Sequence, residues 1–118
     1  MREPPAIESF GGGGFRVAGV WRPGSLLIVE DKPRDWRPAT FADLLPTDFA
    51  EVLAAPPGTV EFVLLGTGAG QALPPRAIRE TLRAAGLGLE FMASAAAARL
   101  HNVLASQGRL FATALISV

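Results

Sequence analysis

Apolar and polar positions alternate with the period of a strand over two stretches between Ile7 and Trp21. Ile7-Glu8-Ser9-Phe10 follows that period and Gly11–Gly14 breaks it. Phe15-Arg16-Val17-Ala18-Gly19-Val20-Trp21 resumes it, which predicts a half-buried strand over Phe15–Trp21. Arg22-Pro23-Gly24-Ser25 then sets Pro and Gly at the two central positions of a type II turn, and Leu26–Val29 reads as the return strand of an N-terminal β-hairpin. From Glu30 to Pro38 the chain is charged and holds two prolines, which predicts a surface loop with Trp36 folded inward as an anchor. Phe41–Leu45 fits one helical turn. Thr47 is placed to cap a helix over Asp48–Ala54, which Ala55-Pro56-Pro57-Gly58 stops.

The second half has a clearer rhythm. Val60–Leu65 is a nearly continuous apolar run of strand length, the pattern of a strand covered on both faces. Pro74-Pro75 opens a helix to about Ala85, with Ile78, Leu82 and Ala85 on one face and Arg76, Arg79, Glu80 and Arg83 on the other. Leu89–Met92 is a short strand, so Val60–Met92 has the form of one βαβ crossover with parallel strands. Ser94 is placed to cap a last helix to about Gln107, with Ala96, Leu100, Val103 and Leu104 as its apolar face, and Leu110–Val118 is a final strand. These 118 residues read as a single α/β domain, 1–118, with residues 1–5 a loose arm.

Composition narrows the function classes. Apolar residues make up 49% of the chain and charged ones 19%, enough to bury a core. Eleven basic residues balance eleven acidic ones, which argues against a general nucleic-acid binder. The balance is uneven: Leu26–Leu65 holds seven acids against three bases, and Gly66 onward holds five Arg against two Glu. The absence of Cys removes disulfides and thiolate chemistry, and one His cannot build a histidine metal cluster, so neither metal nor cofactor is expected. No apolar run approaches the roughly 20 residues needed to span a bilayer, and MREPPAIESF lacks a signal pattern; no membrane insertion and a cytoplasmic location are expected.

Gly66-Thr67-Gly68-Ala69-Gly70 stands directly after a buried strand and before a helix, where phosphate-binding loops occur. Glu90, in the next strand, falls near the position of a ribose-binding acid. Against this, the dinucleotide fingerprint needs its third glycine one place later, and no Lys completes a P-loop. A turn requiring positive φ is the preferred reading and a ligand loop the other. On the last helix Arg99, Asn102 and Ser106 form a polar stripe, either a solvated face or a grip for a carboxylate, phosphate or backbone. The glycine loop and the start of that helix, at Ser94, leave parallel strands at one edge, which places loop and stripe around one cleft. His101 has no acid at helical spacing and reads as a surface or boundary imidazole; without another base, the serines lack a partner for hydrolysis. Trp21 and Trp36 read as core or loop anchors.

Several segments in order carry a family resemblance: Gly24–Val29, Trp36 with Pro38, Leu64–Gly68, Gly88–Met92, and Ala96–Val103 through Gly108-Arg109. Together they resemble the small-domain family of unknown function that includes the mitochondrial complex I (NADH dehydrogenase) assembly factor 3. The resemblance implies a three-layer α/β fold around a mixed central sheet, and an interaction or assembly role in the mitochondrial relatives. The sequence departs from that family's pattern at Ala93-Ser94, where an acid and a threonine are expected, at Leu100-His101 and at Gln107. The expected function is a non-enzymatic interaction domain that binds another protein, with assistance to assembly of a membrane or respiratory complex as its role. The alternative is a binder or converter of a small anionic or nucleotide-like ligand at the Gly66–Gly70 loop. The residues assigned to either kind of site are Gly66, Thr67, Gly68, Gly70, Glu90, Ser94, Arg99 and Asn102.

Overall fold

The structure, a computed structural model, describes residues 2–118. Strands β1 (Ile7–Gly11), β2 (Gly14–Val17) and β3 (Val20–Pro23) form a small antiparallel sheet in chain order. Strands β4 (Ser25–Val29), β5 (Lys32–Trp36), β6 (Phe62–Gly66), β7 (Gly88–Met92) and β8 (Phe111–Leu115) form a mixed sheet in the order β5-β4-β8-β6-β7.

Three two-residue turns set the N-terminal half. Gly12-Gly13, Ala18-Gly19 and Glu30-Asp31 all have both central residues at positive φ, the type I′ geometry whose twist matches a hairpin. The glycine run at Gly11–Gly14 is therefore a hairpin turn and not a break. The strand expected over Phe15–Trp21 is two strands, folded at Ala18-Gly19 so that Arg16 lies opposite Trp21. Leu26–Val29 does not pair with it; it pairs with β5 and with β8. An N-terminal hairpin exists, but between other partners. The surface loop expected at Glu30–Pro38 contains β5, an edge strand in which Pro33 is tolerated because its missing N–H faces outward. Trp36 is buried as expected, its indole N–H donating to the Asp48 carbonyl at 2.9 Å.

The βαβ unit is present. Strands β6 and β7 are parallel neighbours with Phe62 opposite Gly88 and Gly66 opposite Met92, joined through α2 (Arg76–Ala84). A second crossover, β7 to β8 through α3 (Ser94–Ser106), returns the chain past β6, and β8 pairs parallel with it. Steps in opposite directions along a sheet with one hand of crossover place their helices on opposite faces. The core agrees: Val63 and Leu65 pack with Ile78 and Leu82 of α2, whereas Phe62 and Leu64 pack with Ala97, Ala98 and Leu104 of α3. The small sheet shares the α3 side through Ile7, Phe15 and Val17. The result is three layers.

Three local expectations change. Between Pro46 and Leu53 the chain makes a 3-10 turn (Pro46–Phe49) and then α1 (Ala50–Leu53); Thr47 is inside the turn and Asp48 caps it, accepting from the Leu45 N–H at 2.8 Å. The Arg37 guanidinium, hydrogen-bonded to Asp48, holds that carboxyl below the usual carboxylate range. Helix α3 buries Ser94, Ala97, Ala98, His101 and Leu104, so its inward face is rotated from the expected one; Ala96 is exposed and Val103 is 50% exposed. Residues 2–5, expected as a loose arm, lie against the body: Arg2 pairs with Asp31 at 3.0 Å, and the Pro5 carbonyl accepts from His101. The remainder of that arm, Met1, falls outside the described residues.

Candidate functional site

The glycine loop sits at the carboxyl ends of β6, β7 and β8, the edge where α/β sheets place ligands. The two hydroxyls at the loop are bonded inside the fold. Gly68 N–H donates to the Ser94 hydroxyl at 2.9 Å, that hydroxyl donates to the Ile116 carbonyl at 2.7 Å, and Ser94 N–H returns to the Gly68 carbonyl at 2.8 Å. Ser94 is fully buried and does not cap α3 through its side chain; it ties the helix start to two strand ends. Thr67 donates to the Gly70 carbonyl at 2.6 Å and accepts from Ala72 N–H at 3.1 Å, closing the loop on itself. A Cβ on Gly66 would stand 2.8 Å from Ser94 Cα and 2.8 Å from a Leu115 methyl. The glycine there permits helix and strand to touch; at Gly68, φ of 104° requires one.

The polar stripe of α3 turns away from this loop. The Asn102 side chain accepts from Ile7 N–H at 2.9 Å and donates to Ile7 C=O at 2.8 Å, satisfying the outer edge of β1 as a neighbouring strand would. The Arg99 guanidinium lies over the Phe10 ring, 5.1 Å from its centroid, and Ser106 bonds back to the Val103 carbonyl. Thus Ser94 joins Gly66, Thr67 and Gly68, while Arg99 and Asn102 engage β1. Glu90 is exposed in the middle of β7, beside a shallow groove lined by Phe62, Leu100, Leu104 and Arg109.

His101 is not at the surface; it is 2% exposed. Its Nε2 lies 2.8 Å from the Pro5 carbonyl, which can only accept, so Nε2 carries the proton and Nδ1 accepts from the Thr113 hydroxyl at 2.7 Å. Burial pushes its pKa below the ordinary imidazole value. Among the described residues, no three His, Cys, Asp or Glu gather as metal ligands would.

The surface that sequence reasoning missed is the rim of the small sheet. Trp21 is 42% exposed and Val20 56% exposed on β3, the open edge of its sheet. One side of the Trp21 ring rests on Gly14, where an added Cβ would meet Cζ2 at 2.9 Å; Arg16 stands opposite Trp21 on β2. Neighbouring Arg22 reaches Asp35 of the larger sheet at 3.8 Å. The turn at Ala18-Gly19 is what exposes it: the reversal puts Trp21 out of phase with the buried Phe15 and Val17.

Comparison with known proteins agrees with this architecture. The family described as a protein of unknown function (DUF498/DUF598) matches residues 7–116. An uncharacterized protein of Rhodobacter capsulatus is 38% identical over 110 residues, spanning 93% of this chain and 82% of the relative. The crystal structure of a Bartonella henselae protein described as an outer membrane protein superposes with a TM-score of 0.85 at 29% identity, covering 98% of this chain and 96% of that one. The solution structure of a Bordetella pertussis protein described as an Mth938-like domain gives 0.76 at 25% identity, covering 98% and 90%.

Proposed function

The chain belongs to the DUF498/DUF598 family of proteins of unknown function, and we propose that it is a non-enzymatic interaction domain that docks another protein on the rim of the small sheet. The observation that carries this reading is Trp21, a large aromatic side chain left open to solvent on an edge strand. Exposed Trp is costly in water and is among the residue types that dominate binding energy at protein interfaces. Arg16, directly opposite Trp21 and on the same face of the small sheet, supplies a cationic neighbour suited to an acidic rim on the partner. In this reading the partner is a cytoplasmic face of a membrane or respiratory complex undergoing assembly, the role suggested by the family resemblance.

The reading is tested by affinity capture from the native organism with the whole chain as bait. Trp21→Ser should keep the circular dichroism spectrum and lose the captured partner, a weakening of about 2 kcal/mol or more, roughly 30-fold. An undiminished catch with Trp21→Ser sinks the reading.

A further inference from the structure

The two sheets end in four strand edges: β1, β3, β5 and β7. Three are guarded. Asn102 bonds both backbone groups of Ile7 on β1, Pro33 interrupts β5, and β3 is a short strand ended by Pro23. Strand β7, Gly88-Leu89-Glu90-Phe91-Met92, has no proline and, among the described residues, no side chain bonded to its outer backbone. Gly88 N–H reaches the Glu61 carbonyl at 3.0 Å and the Met92 carbonyl accepts from Thr67 at 2.8 Å, so the even-numbered residues bond inward to β6. By alternation the N–H and C=O of Leu89 and Phe91 point out of the sheet, with no partner among the described residues.

We infer that a second copy of this chain adds to β7, antiparallel, about a two-fold axis at Leu89. Three centres bring the outward groups together, and the side chains select one. Centred on Glu90, the dimer sets Glu90 directly against its own copy, a like-charge pair that destabilises a ladder. Centred on Phe91, it sets Glu90 against Met92 of the second copy, an apolar neighbour for a carboxylate. Centred on Leu89, it sets Glu90 against Gly88, which leaves room for the longer side chain. Gly88 is also the register neighbour of Phe62, and the Arg109 guanidinium lies over the Phe62 ring, 5.1 Å from its centroid. Neither Glu90 nor Arg109 has an ion-pair partner among the described residues. In this register each Glu90 lies level with Arg109 of the second copy, on the same side of the sheet.

The same register matches the apolar groups. On the α2 side, Leu87, Leu89 and Phe91 are half-buried and would close over their copies. On the other, Leu100 of α3 lines the groove beside Glu90, and exposed Ala96 and Val103 share its flank of the helix by spacing. Leu89 would exchange both backbone bonds with its own copy, and Phe91 N–H would reach the Leu87 carbonyl. This seam uses a different sheet edge from Trp21 and does not depend on the proposed function.

Sedimentation velocity over a concentration series tests it with the intact chain. The wild type should form a dimer. Glu90→Arg and Arg109→Glu, both exposed positions, should each raise the dimer dissociation constant more than about 30-fold by setting like charges across the seam. The double reversal should bring dimerisation back, which separates seam electrostatics from misfolding. A wild type that stays monomeric at every concentration overturns the inference. So does a dimer indifferent to the single reversals, or a folded double variant that stays monomeric. Retention of the Trp21-dependent partner in any of these outcomes would leave the proposed function standing.

Discussion

The Gly66–Gly70 loop and the rim of β3 each pair glycine with a turn beside a strand, yet they use their side chains in opposite ways. At the loop, Ser94 and Thr67 have the chemistry of a ligand site and lie at the edge where such sites form, but their hydroxyls close hydrogen bonds inside the fold. At the rim, Val20 and Trp21 have the composition of a core and are left outside it. A polar group is free to act on a ligand only when the backbone around it has no claim on it. An apolar group marks an interface when burial was sterically open to the chain and did not occur.

Substitutions can break this contrast. The largest folding effect is expected at Gly66→Ala, where the new methyl meets the backbone of α3 at 2.8 Å. A backbone neighbour cannot step aside as a side chain can, so the loss should be about 3 kcal/mol in chemical denaturation. A wild-type midpoint would show that the helix start is not held against β6. Next, Asn102→Ala leaves the Ile7 N–H and C=O without their partners, at a cost of about 2 kcal/mol. Hydrogen exchange at the Ile7 amide should speed up with it; an unchanged rate would return Asn102 to a solvated stripe.

Acid should act through His101. Its folded-state pKa lies below the ordinary 6.5, chiefly through burial, so the unfolded chain takes up the proton first as pH falls. The stability it contributes is complete above about pH 6.5 and declines from there toward its folded-state pKa. Protonation would also oblige the Thr113 hydroxyl to accept from Nδ1, leaving its own hydrogen to find another acceptor in a buried place. Urea midpoints for the wild type should fall between pH 7.5 and 5.5 by more than those of His101→Gln. The smallest folding effect belongs to Trp21→Ser, about 0.5 kcal/mol. Fluorescence sharpens that point, because the solvent-exposed, red-shifted part of the emission should vanish and the buried Trp36 part remain.

The legible parts of the fold were those fixed by local pattern. The apolar run ending at Leu65, the one-faced helix with Ile78 and Leu82, and the short strand at Met92 determine a parallel crossover with few alternatives. The hairpins were less legible because two of the three turns place non-glycine residues at positive φ: Ala18, and the pair Glu30-Asp31. Such turns are enforced by the strands they join and leave little trace in residue type. Of the candidate site, the closeness of Ser94 to the glycine loop followed from topology. The fates of His101 and Asn102 did not, since their partners Pro5 and Ile7 stand 96 and 95 residues away. Helix spacing alone cannot tell which polar residue will meet a distant backbone.

Strand β8 lies between β4 and β6, although its residues are the last of the sheet to leave the ribosome. Until they emerge, the nascent chain holds two half-sheets, β4–β5 and β6–β7, each with a bare apolar border where β8 will insert. Vectorial synthesis therefore cannot fold this domain piece by piece, and the wait exposes Leu26–Val29 and Phe62–Leu65 to chaperones and to neighbouring nascent chains. A message stalled before Phe111 would release an aggregation-prone fragment and not a smaller version of the domain.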